Sequence, residues 1–189
     1  MSCFVRNLLP GLGSSLESSL VRGFVPSLLA TALAFSSVTA VAAKQHIKSN
    51  SLAQCYFASV KVNEANLHNG PGKQYKIRCK YIKKGVPLLV TAQYEHWRKV
   101  KDADGTEGWI HKNLLSNIRY IVVSSEVAGF YESPDTAARR IAVIKQNVVA
   151  RLLSVNKDWC SINLKHNGRT YTGWIEKKKI FGVGKNESW

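Results

Sequence analysis

A hairpin with a tryptophan on each arm restricts the fold of this chain more than any other feature. Residues Trp97 to Lys101 alternate with a period of two, which indicates a β-strand. Asp104-Gly105 predicts a tight hairpin turn. A type I′ turn requires positive φ at both central positions, and Asp-Gly is one of the dipeptides that adopt it readily. A second strand follows through Trp109, so the segment 97–110 is predicted to be a β-hairpin.

The same pattern occurs a second time further along the chain. Trp159 and Trp174 flank Asn167-Gly168 as the first two tryptophans flank their turn. The first tryptophans of the two copies are 62 positions apart, the second tryptophans are 65 apart, and Pro71 and Pro134 are 63 apart. Anchor points in one order at a nearly constant offset indicate a duplicated domain of about 60 residues.

Short apolar runs separated by turn signals predict the remaining elements, and they favour two small all-β barrels in tandem. The predicted first-copy elements are strands at Tyr56–Leu67, Lys80–Ile82 and Val86–Tyr94 and one helical turn at His111–Leu115. In the second copy, strands are predicted at Tyr120–Ser125, Ala142–Ile144, Val148–Val155, Trp159–Leu164 and Tyr171–Glu176. The predicted domains are 56–117 and 118–183, with a linker at 43–55 and a C-terminal tail at 184–189.

The first 42 residues resemble an export signal. Arg22 precedes an apolar core at 24–38, and Ala40-Val41-Ala42 provides small residues for cleavage. The core is shorter than the ~20 residues of a membrane-spanning helix. We therefore expect an exported protein of the periplasm or cell envelope, with membrane contact only through this segment if it is not cleaved.

The charge of the chain favours an anionic partner. Residues 43–189 hold 25 basic and 11 acidic residues, a net charge of +14. Such a charge attracts polyanions over long distances but does not determine the fold. Because export separates the protein from nucleic acid, no nucleic-acid partner is expected.

The motifs of the first copy resemble the bacterial SH3-like domain, most closely the secreted tandem kind of alphaproteobacteria. The resemblance extends over about residues 57–183 and is weaker in the second copy, which lacks the Gly-Pro-Gly loop. It depends on Asn66-Leu67, Gly70-Pro71-Gly72, Lys84-Gly85-Val86-Pro87, Trp97-Arg98-Lys99-Val100, Asp104-Gly105-Thr106-Glu107-Gly108-Trp109-Ile110 and Leu114-Leu115. It implies binding to the cell wall or its peptides, with lysines meeting carboxylates of the wall peptides.

The candidate binding site is a groove between the Gly70-Pro71-Gly72 loop and the Trp97 hairpin. Tyrosine and tryptophan suit such a site because they provide a large contact area at low entropy cost. Trp97 is the predicted anchor, although packing between the two repeats would also explain it, and Trp109 and Trp174 are predicted core residues. The candidate groove residues are Gly70, Pro71, Tyr75, Tyr81, Tyr94, Trp97 and Arg98.

The positions of the cysteines and histidines bear on disulfide formation, metal ligation and catalysis. Cys55 and Cys79 lie on either side of the first loop and are a candidate disulfide, whereas buried free thiols are the alternative. The histidines are not spaced as metal ligands are, so neither a metal nor a cofactor is expected. No Ser or Cys motif of a hydrolase is present, and we expect no enzymatic activity.

The sequence is compatible with three functions. The first is a non-catalytic binding module for cell-wall peptides. The second is a protein-interaction adaptor in the periplasm, because aromatic grooves also bind extended peptides. The third is a charge-driven binder of anionic surfaces.

Overall fold

The computed structural model describes residues 55–189, and this part of the chain is all-β. It contains fourteen strands, two 3-10 turns and no α-helix. Accordingly, no helix in this part of the chain is long and apolar enough to cross a membrane. The predicted signal peptide at 1–42 and nearly all of the predicted linker lie outside the described residues.

The first seven strands form one sheet that closes around a core. The strands are β1 Tyr56–Val60, β2 Ala65–His68, β3 Ile77–Tyr81, β4 Pro87–Tyr94, β5 Trp97–Lys101, β6 Glu107–His111 and β7 Leu115–Ser116. Their order in the sheet is β3-β2-β6-β5-β4-β1-β7, and all neighbouring strands are antiparallel. A 3-10 turn at Lys112–Leu114 lies between β6 and β7, as the sequence predicted.

The next seven strands repeat this arrangement. The order β10-β9-β13-β12-β11-β8-β14 is that of the first sheet with every strand seven places later. The duplication and the all-β tandem fold are therefore confirmed. The strands are β8 Tyr120–Val123, β9 Val127–Tyr131, β10 Arg140–Lys145, β11 Val149–Asn156, β12 Trp159–His166, β13 Arg169–Glu176 and β14 Ile180–Phe181, with a 3-10 turn at Lys177–Lys179.

Each sheet encloses its own apolar cluster, built from the inward-facing residues of its strands. Burial of each such aliphatic side chain contributes about 1.5–3 kcal/mol to folding. Equivalent strand positions in the two barrels therefore contribute to the two cores in the same way. The fully buried members include Leu67, Tyr81, Leu88, Val100 and Ile110 in the first barrel and Phe130, Ile162 and Ile175 in the second.

The two hairpin turns differ from each other. Asn167-Gly168 joins β12 to β13 as a two-residue turn with φ of 48° and 75°, which confirms the prediction. Asp104-Gly105 is instead part of a five-residue loop between Lys101 and Glu107, and only Gly105 has positive φ. The tight-turn prediction is wrong here because the chain uses a side chain to close the loop.

That side chain belongs to Asp102, which is 5% exposed. Its Oδ1 accepts hydrogen bonds from the backbone N–H groups of Asp104 at 3.1 Å and Thr106 at 2.8 Å. Its Oδ2 accepts a hydrogen bond from the Tyr81 hydroxyl at 3.1 Å. Desolvation raises the pKa of Asp102 although these bonds oppose the shift. The carboxylate thereby fixes the loop to the barrel core.

The single strand predicted at Tyr56–Leu67 is two strands in the structure. β1 pairs with β4 and β7, whereas β2 pairs with β3 and β6. The chain changes partners between Val60 and Ala65, where the Lys61 backbone N–H donates to Leu114 at 2.8 Å. Periodicity persists through this corner, so the sequence pattern did not reveal the break.

The predicted Cys55–Cys79 disulfide is wrong. Cys55 is exposed and its thiol is free. Cys79 is disulfide-bonded, but Cys55 is not its partner. Cys55 precedes β1 and Cys79 lies on β3, and four strands separate these two in the sheet order. Cys55 and Cys79 flank the same loop in the sequence, but β1, which follows Cys55, and β3, which carries Cys79, are not neighbours in the sheet.

Gly108 is required for the close approach of β2 and β6. A Cβ at this position would lie 2.6 Å from Leu67 Cγ and 2.8 Å from the His68 carbonyl oxygen. We expect Gly108→Ala to lower the free energy of unfolding by about 1–3 kcal/mol, because overpacking must displace backbone. Chemical denaturation measures this.

Gly184→Ala is the matched control for that substitution. Its added Cβ would lie 3.4 Å from the nearest atom, an ordinary contact. The control is expected to change stability by less than about 0.5 kcal/mol. Equal effects of the two substitutions would contradict the steric explanation.

Side chains from both barrels meet at a contact centred on Arg119. The rings of Phe57 and Phe181 pack edge-to-face at 5.2 Å between centroids. The Arg119 guanidinium lies over the Phe57 ring at 5.5 Å. Nearby, the Ser59 hydroxyl donates to the Ile118 carbonyl at 2.7 Å. The two barrels are therefore in direct contact through β1 and the segment that precedes β8.

Residues 184–189, predicted as a tail, pack against this contact and against β11. The backbone N–H groups of Trp189 and Val155 each donate to the other residue's carbonyl at 3.0 Å. Arg119 forms a bidentate ion pair with Glu187, at 2.6 Å and 3.1 Å. The Glu187 carboxylate also accepts the Gly184 backbone N–H at 2.8 Å. The segment is thus an integral part of the second barrel.

The Glu187 carboxylate predicts a loss of stability in acid. Desolvation raises its pKa, but hydrogen bonds from Arg119, Gly184 and Trp189 outweigh this and bring the pKa from 4.5 to about 2. Since the folded pKa is below the unfolded one, this contribution is present above pH 4.5 and is lost as the pH falls toward about 2. Denaturation of the wild type and Glu187→Gln should give stabilities that converge over this range. A difference that stays constant would contradict the assignment.

Candidate functional site

A groove of about 450 Å³ opens on the first barrel between the β2–β3 region and the far end of the β5–β6 hairpin. We call it the Trp97 groove. It combines an aromatic floor, two imidazoles, two aliphatic side chains and several charged groups. Its lining residues are Glu64, Asn66, His68, Lys73, Ile77, Lys80, Trp97, His111 and Leu114.

Trp97 lies at the floor of the groove and outside the apolar core. Strand alternation directs Val100 into the core cluster and Trp97 to the opposite face of β5. Even so, Trp97 is only 9% exposed. Its ring packs edge-to-face against His68 at 5.3 Å and His111 at 5.5 Å. It is therefore more buried than the sequence suggested, yet the groove reaches it.

The competing interpretation of Trp97 as a contact between repeats is not supported. Both of its ring partners belong to the first barrel. The contact between barrels is made instead by Phe57, Phe181 and Arg119. The role of Trp97 as a ligand anchor remains a prediction.

The loop that forms one side of the groove is held by His68. The His68 Nδ1–H donates to the Tyr75 carbonyl at 2.8 Å, and since a carbonyl can only accept, Nδ1 carries the proton. The Asn69 backbone N–H donates to Lys76 at 3.0 Å across the base of the loop. The Tyr75 ring lies on Gly70, where a Cβ would come within 2.5 Å of it. These contacts give the groove a fixed wall.

His111 faces Trp97 directly across the β5–β6 pair. Its Nδ1 accepts the Asn113 backbone N–H at 3.3 Å, so Nε2 carries the proton of the neutral ring. Desolvation lowers the pKa of His111 below its usual 6.5. Coulombic interactions with His96, Lys73 and Lys112 lower this pKa further. The imidazole is therefore a neutral donor in a region of positive potential.

The two lysines of the groove differ in their partners. Lys80 forms an exposed ion pair with Glu64 at 3.0 Å. Lys73 forms no ion pair with any residue of the described chain, 55–189. Lys73 is consequently the cation of the groove whose charge is available to a ligand.

The predicted site residues are only partly brought together. Gly70, Pro71 and Tyr75 lie in the loop that contributes Lys73 to the groove, but none of the three belongs to the lining itself. Tyr81 is fully buried, so its assignment to the groove is wrong. Tyr94 is 45% exposed and pairs with Trp97 across the β4–β5 turn, outside the lining. Arg98 is also absent from the lining, and its guanidinium donates to the carbonyls of Glu95 at 3.1 Å and Trp97 at 3.0 Å.

His68 and His111 were missed as groove residues. Closing the predicted tight turn at Asp104-Gly105 would place Lys112 opposite Trp97, whereas the observed five-residue loop shifts the register by one residue and places His111 there. His68 and Lys73 reach the groove through the pairing of β2 with β6 and the fold of the following loop. No local pattern in the sequence predicts the pairing of β2 with β6.

Trp109 and Trp174 are not core residues, and that prediction is wrong. Each is only half-buried and lies on the outer face of its hairpin. The following residues, Ile110 and Ile175, are fully buried in the two cores. The glycine before each tryptophan allows the neighbouring strand to approach.

The second barrel repeats the aromatic geometry but not the charges. The rings of Tyr131 and Trp159 meet edge-to-face at 5.6 Å, as His68 and Trp97 do in the first barrel. Glu176 stands opposite Trp159, in the place of His111. The lysine-rich groove is thus a property of the first barrel.

The groove lining provides aromatic, imidazole, carboxylate and ammonium groups. It contains no hydroxyl or thiol nucleophile. Within residues 55–189, no group of three or more His, Cys, Asp or Glu side chains is placed to hold a metal ion. Its chemistry consists of ring contacts, hydrogen bonds and charge.

The chain is distantly similar to several solved structures. NlpC2 from Trichomonas vaginalis is 17% identical, with 74% of this chain and 52% of that chain covered and a TM-score of 0.32. NlpC1 from the same organism is 16% identical, with 70% and 48% covered and a TM-score of 0.32. An NlpC/P60 family protein from Bacillus cereus ATCC 10987 is 15% identical, with 66% and 55% covered and a TM-score of 0.31. This chain spans about half the length of these proteins.

A family model gives a direct assignment. No curated protein matches the chain. The model of the bacterial SH3 domain, in contrast, matches it twice, at residues 61–117 and 124–182. These ranges fall within the two seven-stranded sheets and the segments that flank them. The chain belongs to the bacterial SH3 domain family and carries two tandem copies of that domain.

Proposed function

We propose that this protein is a non-catalytic, exported binding module of the bacterial cell envelope. Its first SH3 domain recognises cell-wall peptides, or another envelope component, through the Trp97 groove. The observation that carries this proposal is a tryptophan floor between two imidazoles with an available lysine at the side.

The size and composition of the groove suit a small peptide segment. Its volume of about 450 Å³ lies within the range of small-ligand sites, ~300–1,000 Å³. Binding energy concentrates in a few aromatic and cationic residues surrounded by weaker contacts. Trp97 provides the aromatic contact, Ile77 and Leu114 the apolar walls, and Lys73 the charge.

The location in the envelope rests on the sequence of the first 42 residues. An export signal there would bring a chain with a mature charge of +14 into contact with the wall. The positive charge speeds encounter with an anionic polymer, and the groove then provides selectivity.

A sedimentation assay on purified, protein-stripped cell wall tests the proposal. The exported form of the protein is mixed with the wall at low and at high salt. Binding that survives high salt is the expected result, because contacts inside the groove are screened less than surface charges.

Two other results would overturn it in favour of the alternatives. Absence of wall binding, together with a defined envelope protein that co-purifies, would favour a periplasmic adaptor. Equal binding to unrelated polyanions, lost above physiological salt, would favour a charge-driven binder of anionic surfaces.

A further inference from the structure

We propose that the group entering the Trp97 groove is a free carboxylate of a peptide, and that Lys73 holds it. This inference rests on the proposed binding role of the groove and names the chemistry of its ligand. It assigns one lysine among many to recognition.

The distribution of partners selects Lys73. Lys80 reaches the same groove, but its ammonium already has a carboxylate partner in Glu64 at 3.0 Å. Lys73 has no carboxylate partner in the described chain and extends from the loop that His68 anchors. A carboxylate ligand would supply the missing partner, and a charge-assisted hydrogen bond is about twice as strong as a neutral one.

The surroundings of His111 also favour a negatively charged ligand. His111 lies in a positive potential to which His96, Lys73 and Lys112 contribute, and this potential together with desolvation keeps the ring neutral. The neutral ring has Nε2–H as a donor. A bound carboxylate would lower the potential and favour the protonated ring. Binding of an acid should therefore strengthen as the pH falls.

Other titratable groups also lie near His111 and bear on this pH dependence. His68 lines the same groove and contacts Trp97, and the ring of His96 lies 6.0 Å from that of His111. The Glu64–Lys80 ion pair also lines the groove. The carboxylate of Glu64 is already engaged by Lys80. The ligand's carboxylate would thus be the added negative charge that favours protonation of His111.

The test uses the full chain and two forms of protein-stripped cell wall. One form is untreated, and in the other carbodiimide and excess ammonia have converted carboxylates to amides. We expect amidation to weaken binding at least about tenfold. Equal binding to both forms would overturn the proposal.

A pair of variants separates Lys73 from general charge. Lys73→Gln and Lys83→Gln remove the same charge, but Lys83 lies outside the groove lining. Lys73→Gln should weaken binding to untreated wall about tenfold, and Lys83→Gln less than about twofold. Equal losses would overturn the role of Lys73. Between about pH 7.5 and 5.5, wild-type affinity should rise and that of His111→Gln should change less.

A peptide titration keeps this inference distinct from wall binding. The probes are acetyl-trialanine with a free carboxylate and the same peptide as its amide, monitored at the Trp97 indole by NMR. If neither wall form binds, the wall function fails. A shift caused by the acid and not the amide would then uphold the carboxylate site, with a protein C-terminus as its source. No shift with the acid would overturn it.

Discussion

Arg119→Met is expected to lower the free energy of unfolding by about 2–3 kcal/mol. The substitution retains an apolar stem over Phe57 but leaves Glu187 without its cation. The two side chains are 20% and 22% exposed, so the carboxylate would remain largely buried. Breaking a fully buried pair costs about 3–5 kcal/mol, and partial exposure reduces this figure. Urea denaturation monitored by circular dichroism provides the measurement.

The loss of the cation also removes a direct bond to the barrel. The Arg119 Nη2 donates to the Gly182 carbonyl at 2.7 Å as well as to Glu187. We therefore expect amide exchange to accelerate at 182–189 before the rest of the second barrel. This local opening distinguishes loss of the ion pair from a general weakening of the fold.

Two comparisons make the Arg119 prediction decisive. Arg139 forms an ion pair with Glu132 at 3.2 Å, but these side chains are 78% and 50% exposed. Arg139→Met should therefore cost no more than about 1 kcal/mol. The double variant Arg119→Met/Glu187→Gln should recover part of the lost stability, because no charge is left unpaired. Equal effects of Arg119→Met and Arg139→Met would rule out this view of the contact.

Trp97→Ala is expected to abolish most binding through the groove, with a loss of at least about 2 kcal/mol. The ring forms the floor that His68 and His111 flank, so its removal takes away the largest contact surface. Because Trp97 is 9% exposed, the substitution should also lower the melting temperature. Binding must accordingly be measured well below the melting transition.

Trp159→Ala is the matched control for the floor of the groove. Trp159 occupies the equivalent strand position and packs against Tyr131 in the same edge-to-face manner. We expect it to lose stability while retaining wall binding, since Glu176 replaces His111 opposite it. Full wall binding by a folded Trp97→Ala protein would be incompatible with the anchor role.

Much of the fold could be read from local patterns. Alternation identified both hairpins, and Asn167-Gly168 specified its turn because these residues tolerate positive φ. The Asp104-Gly105 dipeptide suggested a tight turn, but Asp102 closes a longer loop by accepting hydrogen bonds from the backbone N–H groups of Asp104 and Thr106. Tyr81, 21 positions earlier in the chain, holds the same carboxylate to the barrel core.

The candidate site was predicted less well than the fold. Trp97 and the loop at 69–72 were placed at the groove, but Tyr81 was assigned to it and His68 and Lys73 were missed. A tyrosine in a strand can face either side, and its face depends on register. Only the pairing of β2 with β3 and β6 decides which side chains meet Trp97.

By itself, the sequence determined the duplication, the strand and turn pattern and the membership in an SH3-like family, because these depend on periodicity and on residues close in the chain. Tertiary structure alone decided which aromatic residues are buried, which lysine is available, and that Cys55 does not pair with Cys79. Those properties depend on neighbours from distant strands. Burial and charge pairing are created when the sheet closes, so no local pattern contains them.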